Sequence, residues 1–283
     1  MGHKNNNIYS ETIETLKGMQ AYGTSKHQDK KNGCTSDKIY SYSTFGTYKA
    51  KCMDFVDMAR HEHKCKSLEE ARQYVGEFLK DKIDKGYSAW TIKLYASALG
   101  KLYQVPANSF IDLPERKRSD IVRSRNETVR SKHFSVENNK VLISFCQNTG
   151  LRRSELESLK RKDCYEVDGK WYIHVESGKG GKTREVESIA LPKECIDKIL
   201  ATKEDERIFG KVHSAADIHG YRADYANSMY NKLARPISEV PKDERYYCRG
   251  DMKGKVFDKV AMEKVSKFLG HSRICVIAYS YLR

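Results

Sequence analysis

A basic segment at residues 106–132 separates two stretches of the chain in which apolar residues recur at helical spacing. The segment contains prolines and the charged run at 115–118, and it shows no apolar period. The apolar residues of one helix predicted before it are Phe45, Tyr48, Cys52, Phe55, Val56 and Ala59. These patterns predict a helical domain at 1–105 and a second domain at 133–283, joined by a basic linker.

The first domain is predicted to be a small helical bundle. A short helix is expected near residues 8–20, and Ser67 with Glu70 forms a capping box at the start of a later helix. Ser88 is placed to cap the next helix, which ends before the linker. Residues 24–42 are polar, rich in lysine and without a period, so they predict a loop.

One tight hairpin interrupts the helices of the second domain. Asp168-Gly169 stands between alternating segments at 165–167 and 171–175, which is the strongest short hairpin signal in a sequence. Residues 186–191 supply a third strand. The predicted fold is therefore mostly α with a small antiparallel β-sheet. Along the chain, a helical bundle is followed by an α+β second domain.

The charge of the chain favours a polyanionic partner. The formal net charge is +14 and the pI is about 9.3, and both halves are basic. Neutralising phosphates and releasing their counterions supplies most of the non-specific affinity for nucleic acid. A basic linker between two basic domains suits a protein that encloses a duplex, although a basic protein without such a partner would have the same charge.

Cysteine usage and hydropathy point to the cytoplasm. The eight cysteines form no Cys-x-x-Cys pair, no apolar leader opens the chain, and no apolar run reaches the length of a membrane helix. We expect reduced thiols and no membrane partner. His61, Glu62, His63 and Cys65 superficially resemble a metal site, but histidines two apart point to different sides of a helix, so an exposed helix end is expected.

Six polar residues in the second domain suggest a reaction. They comprise one nucleophile candidate and five cationic or proton-carrying side chains, without a carboxylate cluster or metal-ligand spacing. The six are Arg152, Lys179, His219, Arg222, His271 and Tyr281. Such a set suits attack on an anion whose developing charge the protein neutralises, and a phosphodiester is the natural substrate. Most of these residues are unremarkable when taken singly.

The segment Gly178-Lys179-Gly180-Gly181-Lys182-Thr183 invites comparison with a nucleotide-binding P-loop. Glu176 stands where the leading glycine of that motif is required, and the segment joins two strands instead of opening a helix. A β-turn that presents Lys179 is expected instead. An ordinary solvated turn of lysine and glycine is the alternative.

The order and spacing of these residues, and the short motifs that contain them, resemble those of the tyrosine recombinase family of phage integrases and Xer-type resolvases. The motifs are Thr149-Gly150-Leu151-Arg152, His219-Gly220-Tyr221-Arg222 and Leu269-Gly270-His271. The resemblance implies that 1–105 is a SAM-like core-binding domain that contacts DNA and that 133–283 is the catalytic domain.

The resemblance also implies a role for each residue. Arg152 and Arg222 would bind the scissile phosphate, Lys179 would protonate the leaving 5′ oxygen, and Tyr281 would form a 3′-phosphotyrosine bond. His219 would support proton transfer. The remaining implied roles are a phosphate hydrogen bond from His271 and support of the site by Glu155. Lys182 and Arg184 are backups for Lys179 and are expected to contact phosphate. The basic linker residues Arg116, Lys117 and Arg118 are expected to contact DNA.

The choice of nucleophile lies between two tyrosines. The family places it nine or ten residues after the histidine; Tyr281 follows His271 by ten residues and Tyr279 by eight. Tyr281 is therefore assigned, with Tyr279 as the alternative. The resemblance implies that neither metal nor ATP is needed. The implied partners are a duplex recombination site and further copies of the chain, as a dimer or tetramer on DNA.

Two other functions compete with a recombinase that serves as the integrase of a mobile element. A type IB topoisomerase shares the catalytic residues, but the small helical first domain disfavours it. A DNA-binding protein without cleavage activity is the other alternative. The 48 residues between Arg222 and His271 are about twice the usual family gap, and the excess at 236–255 is either a DNA-contacting loop or a subunit contact.

Overall fold

The computed structural model describes residues 7–117, 120, 133–178 and 181–282. The chain divides into two compact units, Met1–Ile121 and Val122–Arg283. Within the described ranges, no helix is both long enough and apolar enough to cross a membrane.

The first unit is built from helices whose starts are set by polar caps. Asn7, Ser25, Ser41, Ser67 and Ser88 each accept a backbone N–H at the start of a helix. The helices are α1 (Ile8–Gly18), α2 (Lys26–Lys31), α3 (Tyr42–His61), α4 (Leu68–Ala71), α5 (Val75–Asp84) and α6 (Ala89–Leu102).

The core of the first unit forms where the apolar faces of these helices meet. Phe55 of α3 packs edge-on against Phe78 of α5, with ring centroids 5.4 Å apart. Phe110 and Ile111 also pack against this core, so the first part of the predicted linker lies on the first unit.

The loop predicted at 24–42 is wrong in part, because it contains α2. No residue of α2 is buried, so the helix has no apolar period for sequence reasoning to detect. Ser25 caps it, and Lys101 of α6 donates to the carbonyls of Thr35 and Ser36 at 2.6 and 2.7 Å. These local polar bonds stabilise the segment where apolar burial does not.

The second unit combines helices with two small antiparallel sheets. Its helices are α7 (Lys140–Thr149), α8 (Arg153–Ser158), α9 (Lys193–Ala201), α10 (Ile218–Leu233), α11 (Lys259–Leu269) and α12 (Cys275–Ser280). Its strands are β1 (Cys164–Val167), β2 (Lys170–Val175), β3 (Arg184–Glu187), β4 (Arg245–Tyr247) and β5 (Val256–Asp258). Helix α10 runs through the core against α7, where Phe145, Tyr225 and Met229 are fully buried.

The predicted hairpin is confirmed, because β1 and β2 pair with Val167 opposite Lys170. Asp168 and Gly169 both have positive φ, 51° and 74°, which is the turn that matches the twist of the flanking strands. The third strand begins at Arg184, slightly before its predicted start, and pairs with β2. The second sheet, β4 with β5, was not predicted; it lies between α10 and α11.

Candidate active site

Three of the predicted site residues meet at one hydroxyl. The Oη atom of Tyr281 lies 3.2 Å from Nε of Arg222 and 3.2 Å from Nε2 of His271. Nη2 of Arg222 lies 3.4 Å from the same histidine nitrogen. A phenol in this position can exchange its proton with an imidazole while a guanidinium supplies positive charge.

Arg222 is held by backbone carbonyls as well as by the tyrosine. Its side chain reaches from α10 into the core, where the residue is 2% exposed, and it donates to the carbonyls of Gly150 and Leu269. Burial lowers the pKa of Arg222, and the nearby charge of Arg152 acts in the same direction. An arginine remains protonated under such conditions, so the site keeps a buried positive charge.

The second arginine converges on one of the same carbonyls. Arg152 stands at the N-cap of α8, and its Nη2 donates to the carbonyl of Leu269 at 3.1 Å. Its Nη1 donates to Oε1 of Glu155 at 2.8 Å. The last carbonyl of α11 thus receives both predicted phosphate-binding arginines, and the negative end of the helix dipole favours cations there.

Glu155 joins these parts of the site. It is 5% exposed, and Arg184 donates to both of its oxygens, at 2.9 and 2.7 Å. Burial works to raise the pKa of Glu155, but the bonds from Arg184 and from the backbone and side chain of Arg152 outweigh it and hold the pKa at about 2. Glu155 is therefore ionised at neutral pH, and it fixes two guanidinium groups.

The position of His271 follows from how α11 ends. Gly270 adopts a left-handed conformation with φ 66°, and the backbone N–H of His271 donates to the carbonyl of Ser266 at 2.9 Å. This is the helix-ending arrangement that glycine favours, because other residues are strained at positive φ. The chain leaves the helix in a fixed direction, and the imidazole comes to lie beside Tyr281.

Comparison with known proteins identifies the fold. No family model and no curated protein matches the sequence. The solved structure of the XerH site-specific recombinase bound to a palindromic difH substrate, a post-cleavage complex, is 18% identical, with 96% of this chain and 89% of that chain covered and a TM-score of 0.53. The pre-cleavage complex of XerH with difH is 17% identical, with 96% and 90% covered and a TM-score of 0.51.

The chain has the tyrosine recombinase fold. The predicted fold class is confirmed, as is the predicted likeness to recombinases at the level of the fold. At this sequence identity the likeness extends no further, so the roles of single residues depend on the geometry described above.

Within the tyrosine recombinase fold, Gly178, the first residue of the predicted turn at 178–182, lies next to Glu155. Lys179 itself is outside the described residues. The N–H of Gly178 donates to the carbonyl of Lys182 at 3.0 Å, and a Cβ on Gly178 would lie 3.4 Å from Oε1 of Glu155 and 2.8 Å from Nη1 of Arg184. Gly178, which is bonded to Lys182, therefore lies beside Glu155 and Arg184.

The other predicted residues lie in three settings. His219 is exposed in the first turn of α10, one turn before Arg222. Lys182 is exposed, as are Arg116 and Lys117, which belong to the first unit, while Arg118 is outside the described residues. The remaining predicted DNA contact, Arg184, is different: its side chain is 8% exposed, and its three nitrogens donate to Glu155 and to the carbonyl of Phe268.

The alternative nucleophile contacts another part of the unit. The hydroxyl of Tyr279 accepts the backbone N–H of Arg249 at 2.7 Å and donates to the carbonyl of that residue at 3.0 Å. Sequence reasoning missed Asn227, whose Nδ2 donates to the backbone carbonyl of Tyr281 at 2.9 Å. Asn227 stands on α10 with Arg222, and nothing in the local sequence distinguishes it from other polar helix residues.

One possible metal-ligand group occurs among the described residues, in the first unit. Ligand atoms of Glu62, His63 and Glu77 all lie within 4.8 Å of one another. Nε2 of His63 is hydrogen-bonded to Oε1 of Glu77 at 3.0 Å, and the His63 ring stacks on the ring of Tyr74 with centroids 3.7 Å apart. These contacts account for its orientation without an ion.

Proposed function

We propose that this protein is a site-specific DNA recombinase of the tyrosine recombinase family, acting as the integrase of a mobile element. It would cleave and rejoin DNA strands through a covalent 3′-phosphotyrosine intermediate. The observation that carries the proposal is the hydroxyl of Tyr281 between Arg222 and His271. The fold shared with XerH supports it.

Every bond and proton that changes in the cleavage step can be assigned to a named group. Oη of Tyr281 attacks phosphorus, the bond from phosphorus to the 5′ oxygen breaks, and the departing oxygen takes up a proton, for which Lys179 is the predicted donor. Oη of Tyr281 must lose its proton as it attacks, because a phenolate and not a phenol is the effective nucleophile. Nε2 of His271 is close enough to accept that proton and can then donate it in a hydrogen bond to the phosphate.

The arginines would stabilise the crowded, negatively charged phosphorus of the transition state. A guanidinium has five N–H donors, and the described contacts of Arg222 with Tyr281, Gly150, Leu269 and His271 use four of them, which leaves one donor on Nη1 for a phosphate oxygen. Arg222 and Tyr281 are 2% and 8% exposed, so movement of side chains must accompany phosphate binding. Removing one preorganised donor of this kind typically costs about 3 kcal/mol of transition-state stabilisation.

The chemistry needs no ATP, because the phosphotyrosine bond keeps the energy of the phosphodiester. A 5′-hydroxyl from a second DNA strand reverses the attack and restores the backbone. Exchange between two duplexes requires several such cuts at one place, so we propose that copies of the chain assemble on the recombination site as a dimer or tetramer.

A suicide substrate tests the function. A duplex that carries the recombination site, recovered by selecting bound fragments from source DNA, is nicked so that the cleaved end diffuses away and the covalent complex accumulates. Wild type and Tyr279→Phe should form a complex that survives denaturation, and Tyr281→Phe should form none. Duplex binding without any adduct would refute cleavage and favour the non-catalytic alternative.

Two further outcomes separate the alternatives. An adduct that survives in Tyr281→Phe but disappears in Tyr279→Phe would overturn the nucleophile assignment. Relaxation of a supercoiled plasmid without the recombination site would favour a topoisomerase.

A further inference from the structure

The β4–β5 hairpin contacts the short helix that precedes Tyr281. Tyr279 makes contact with this hairpin: its hydroxyl donates to the backbone carbonyl of Arg249 at 3.0 Å and accepts the N–H of that residue at 2.7 Å, and it also interacts with the side chain of Tyr246 on β4. These two hydrogen bonds together fix the backbone of Arg249 relative to the ring of Tyr279. The segment that lengthens the gap between Arg222 and His271 thus reaches the helix of the candidate nucleophile.

The hairpin is firm enough to serve as a support. Its strands pair through three residues each, and the N–H of Cys248 donates to the carbonyl of Lys255 at 3.0 Å, which extends the ladder towards the turn. The side chain of Cys248 is buried in the core of the second unit. Arg249 follows directly, so its peptide groups leave the ladder at a fixed position.

The base of the hairpin is tied to the helix that carries Arg222. Arg235, just after α10, donates from Nε and Nη2 to both oxygens of the buried Asp258, at 2.8 and 2.9 Å. The N–H of Asp258 also donates to the hydroxyl of Tyr230 on α10, at 2.9 Å. A continuous series of bonds therefore connects α10, the hairpin and Tyr279.

Helix α12 depends on such contacts for its position. It has six residues, Cys275–Ser280, of which only Ile277 and Ala278 are buried. A helix of this length has little stability of its own, and tertiary packing must place it. Residues two apart on a helix do not face the same way, so the hairpin holds α12 on one side while Tyr281 reaches the site on another.

We propose that Tyr279 is a positioning residue, and that the β4–β5 hairpin is a brace that sets the hydroxyl of Tyr281 against Arg222 and His271. This inference rests on the proposed function. It gives the extra residues between α10 and α11 a role in the reaction, and it explains why a second tyrosine stands so near the nucleophile.

The kinetic test removes one hydroxyl. Tyr279→Phe should lower the single-turnover rate of adduct formation by about tenfold to hundredfold, because small displacements of a reacting group have effects of that size. DNA affinity should not change. The matched control is Tyr247→Phe, which removes a hydroxyl from the 54% exposed tyrosine of the same hairpin and should leave the rate unchanged. A rate for Tyr279→Phe within about twofold of wild type would overturn the inference.

A double-mutant cycle tests whether the effect passes through the hairpin. Tyr247 pairs with Val256, so residues 248–255 can be replaced by Asn-Gly, a two-residue turn suited to that register. In this background Tyr279→Phe should have a much smaller effect on the rate, because the bonds to Arg249 are gone and only the interaction with Tyr246 of β4 remains. Effects that multiply independently would show that the hydroxyl acts elsewhere. Tyr279→Phe alone, the milder change, decides the question if the shortened chain does not fold.

A second readout does not depend on cleavage. In protein with tyrosine rings labelled with carbon-13, the ring resonance of Tyr281 should move in Tyr279→Phe and stay in place in Tyr247→Phe, without DNA. An unmoved resonance would overturn the brace whatever the rates show. If the wild type forms no adduct while the resonance moves as expected, the proposed function fails and the positioning of Tyr281 by the hairpin stands.

Discussion

Replacing Glu155 with glutamine removes a buried negative charge that two arginines share. Glu155 accepts both donors of the Arg184 fork, together with the backbone N–H and Nη1 of Arg152. A glutamine side chain has nearly the same shape, so the change removes charge with little loss of packing. It leaves two guanidinium groups close together without their counter-charge.

The pKa of Glu155 gives the size of the effect. The ordinary value of 4.5 falls to about 2 in the folded protein, and one pKa unit corresponds to about 1.4 kcal/mol. The charged form therefore stabilises the folded state by about 3 kcal/mol at neutral pH. Breaking a buried ion pair by removing one partner commonly costs about 3 to 5 kcal/mol, which agrees with this figure.

The pH dependence has a definite sign. Because the folded pKa lies below the unfolded one, the stabilisation is complete above about pH 4.5 and is lost as the pH falls towards 2. Glutamine does not titrate. The difference in the free energy of unfolding between wild type and Glu155→Gln should therefore be about 3 kcal/mol at pH 6 and about half of that at pH 3.

Urea unfolding followed by tryptophan fluorescence measures this difference. The chain has two tryptophans, and a Trp90→Phe background leaves Trp171 of β2 to report on the second unit. Asp258→Asn is the control, since Asp258 also has a pKa of about 2, first because of its bonds from Arg235. The Asp258→Asn variant should lose the stabilisation that comes from Asp258. It should keep the pH-dependent stabilisation that comes from Glu155. A difference for Glu155→Gln that stays constant from pH 6 to pH 3 would refute the reasoning.

Two further substitutions probe the frame around the site. Gly150→Ala should lower the free energy of unfolding of the second unit by about 2 to 4 kcal/mol. The reason is that Gly150 has φ 61° and that a Cβ there would lie 2.4 Å from the ring of Tyr225. A loss below about 1 kcal/mol in the same urea assay would contradict this prediction. Arg153→Met removes donors to four carbonyls at 212–216, at 2.8 to 3.3 Å. It should cost about 2 to 3 kcal/mol and slow adduct formation, whereas Arg161→Met, which loses one carbonyl bond, should do neither; equal effects of both would refute the distinction.

Local signals in the sequence were enough for much of the fold. The Asp168-Gly169 turn formed as expected because Asp and Gly tolerate the positive φ that this turn requires. Helix starts at Ser67 and Ser88 also followed from side chains within one turn of the cap. Helix α2 was missed because it buries nothing, and the apolar period is the signal on which such a prediction depends.

The candidate site was predictable as a set of residues and not as an arrangement. Order and spacing singled out Arg152, Arg222, His271 and Tyr281, and the structure brings them together. Arg184 was predicted as a phosphate contact, yet its nitrogens are paired with Glu155 and the end of α11. Its partner Glu155 lies 29 residues away along the chain, and no local pattern reports that pairing.

The sequence alone predicted most of the elements and the set of candidate site residues, because caps, turns, apolar periods and motif spacing act over short stretches of the chain. Only the tertiary structure decided that one hydroxyl, that of Tyr281, lies beside Arg222 while the other, that of Tyr279, is bonded to the hairpin. It also decided that two arginines share the carbonyl of Leu269. These contacts join residues 30 to 117 positions apart, and their partners are set by how the helices pack in the core.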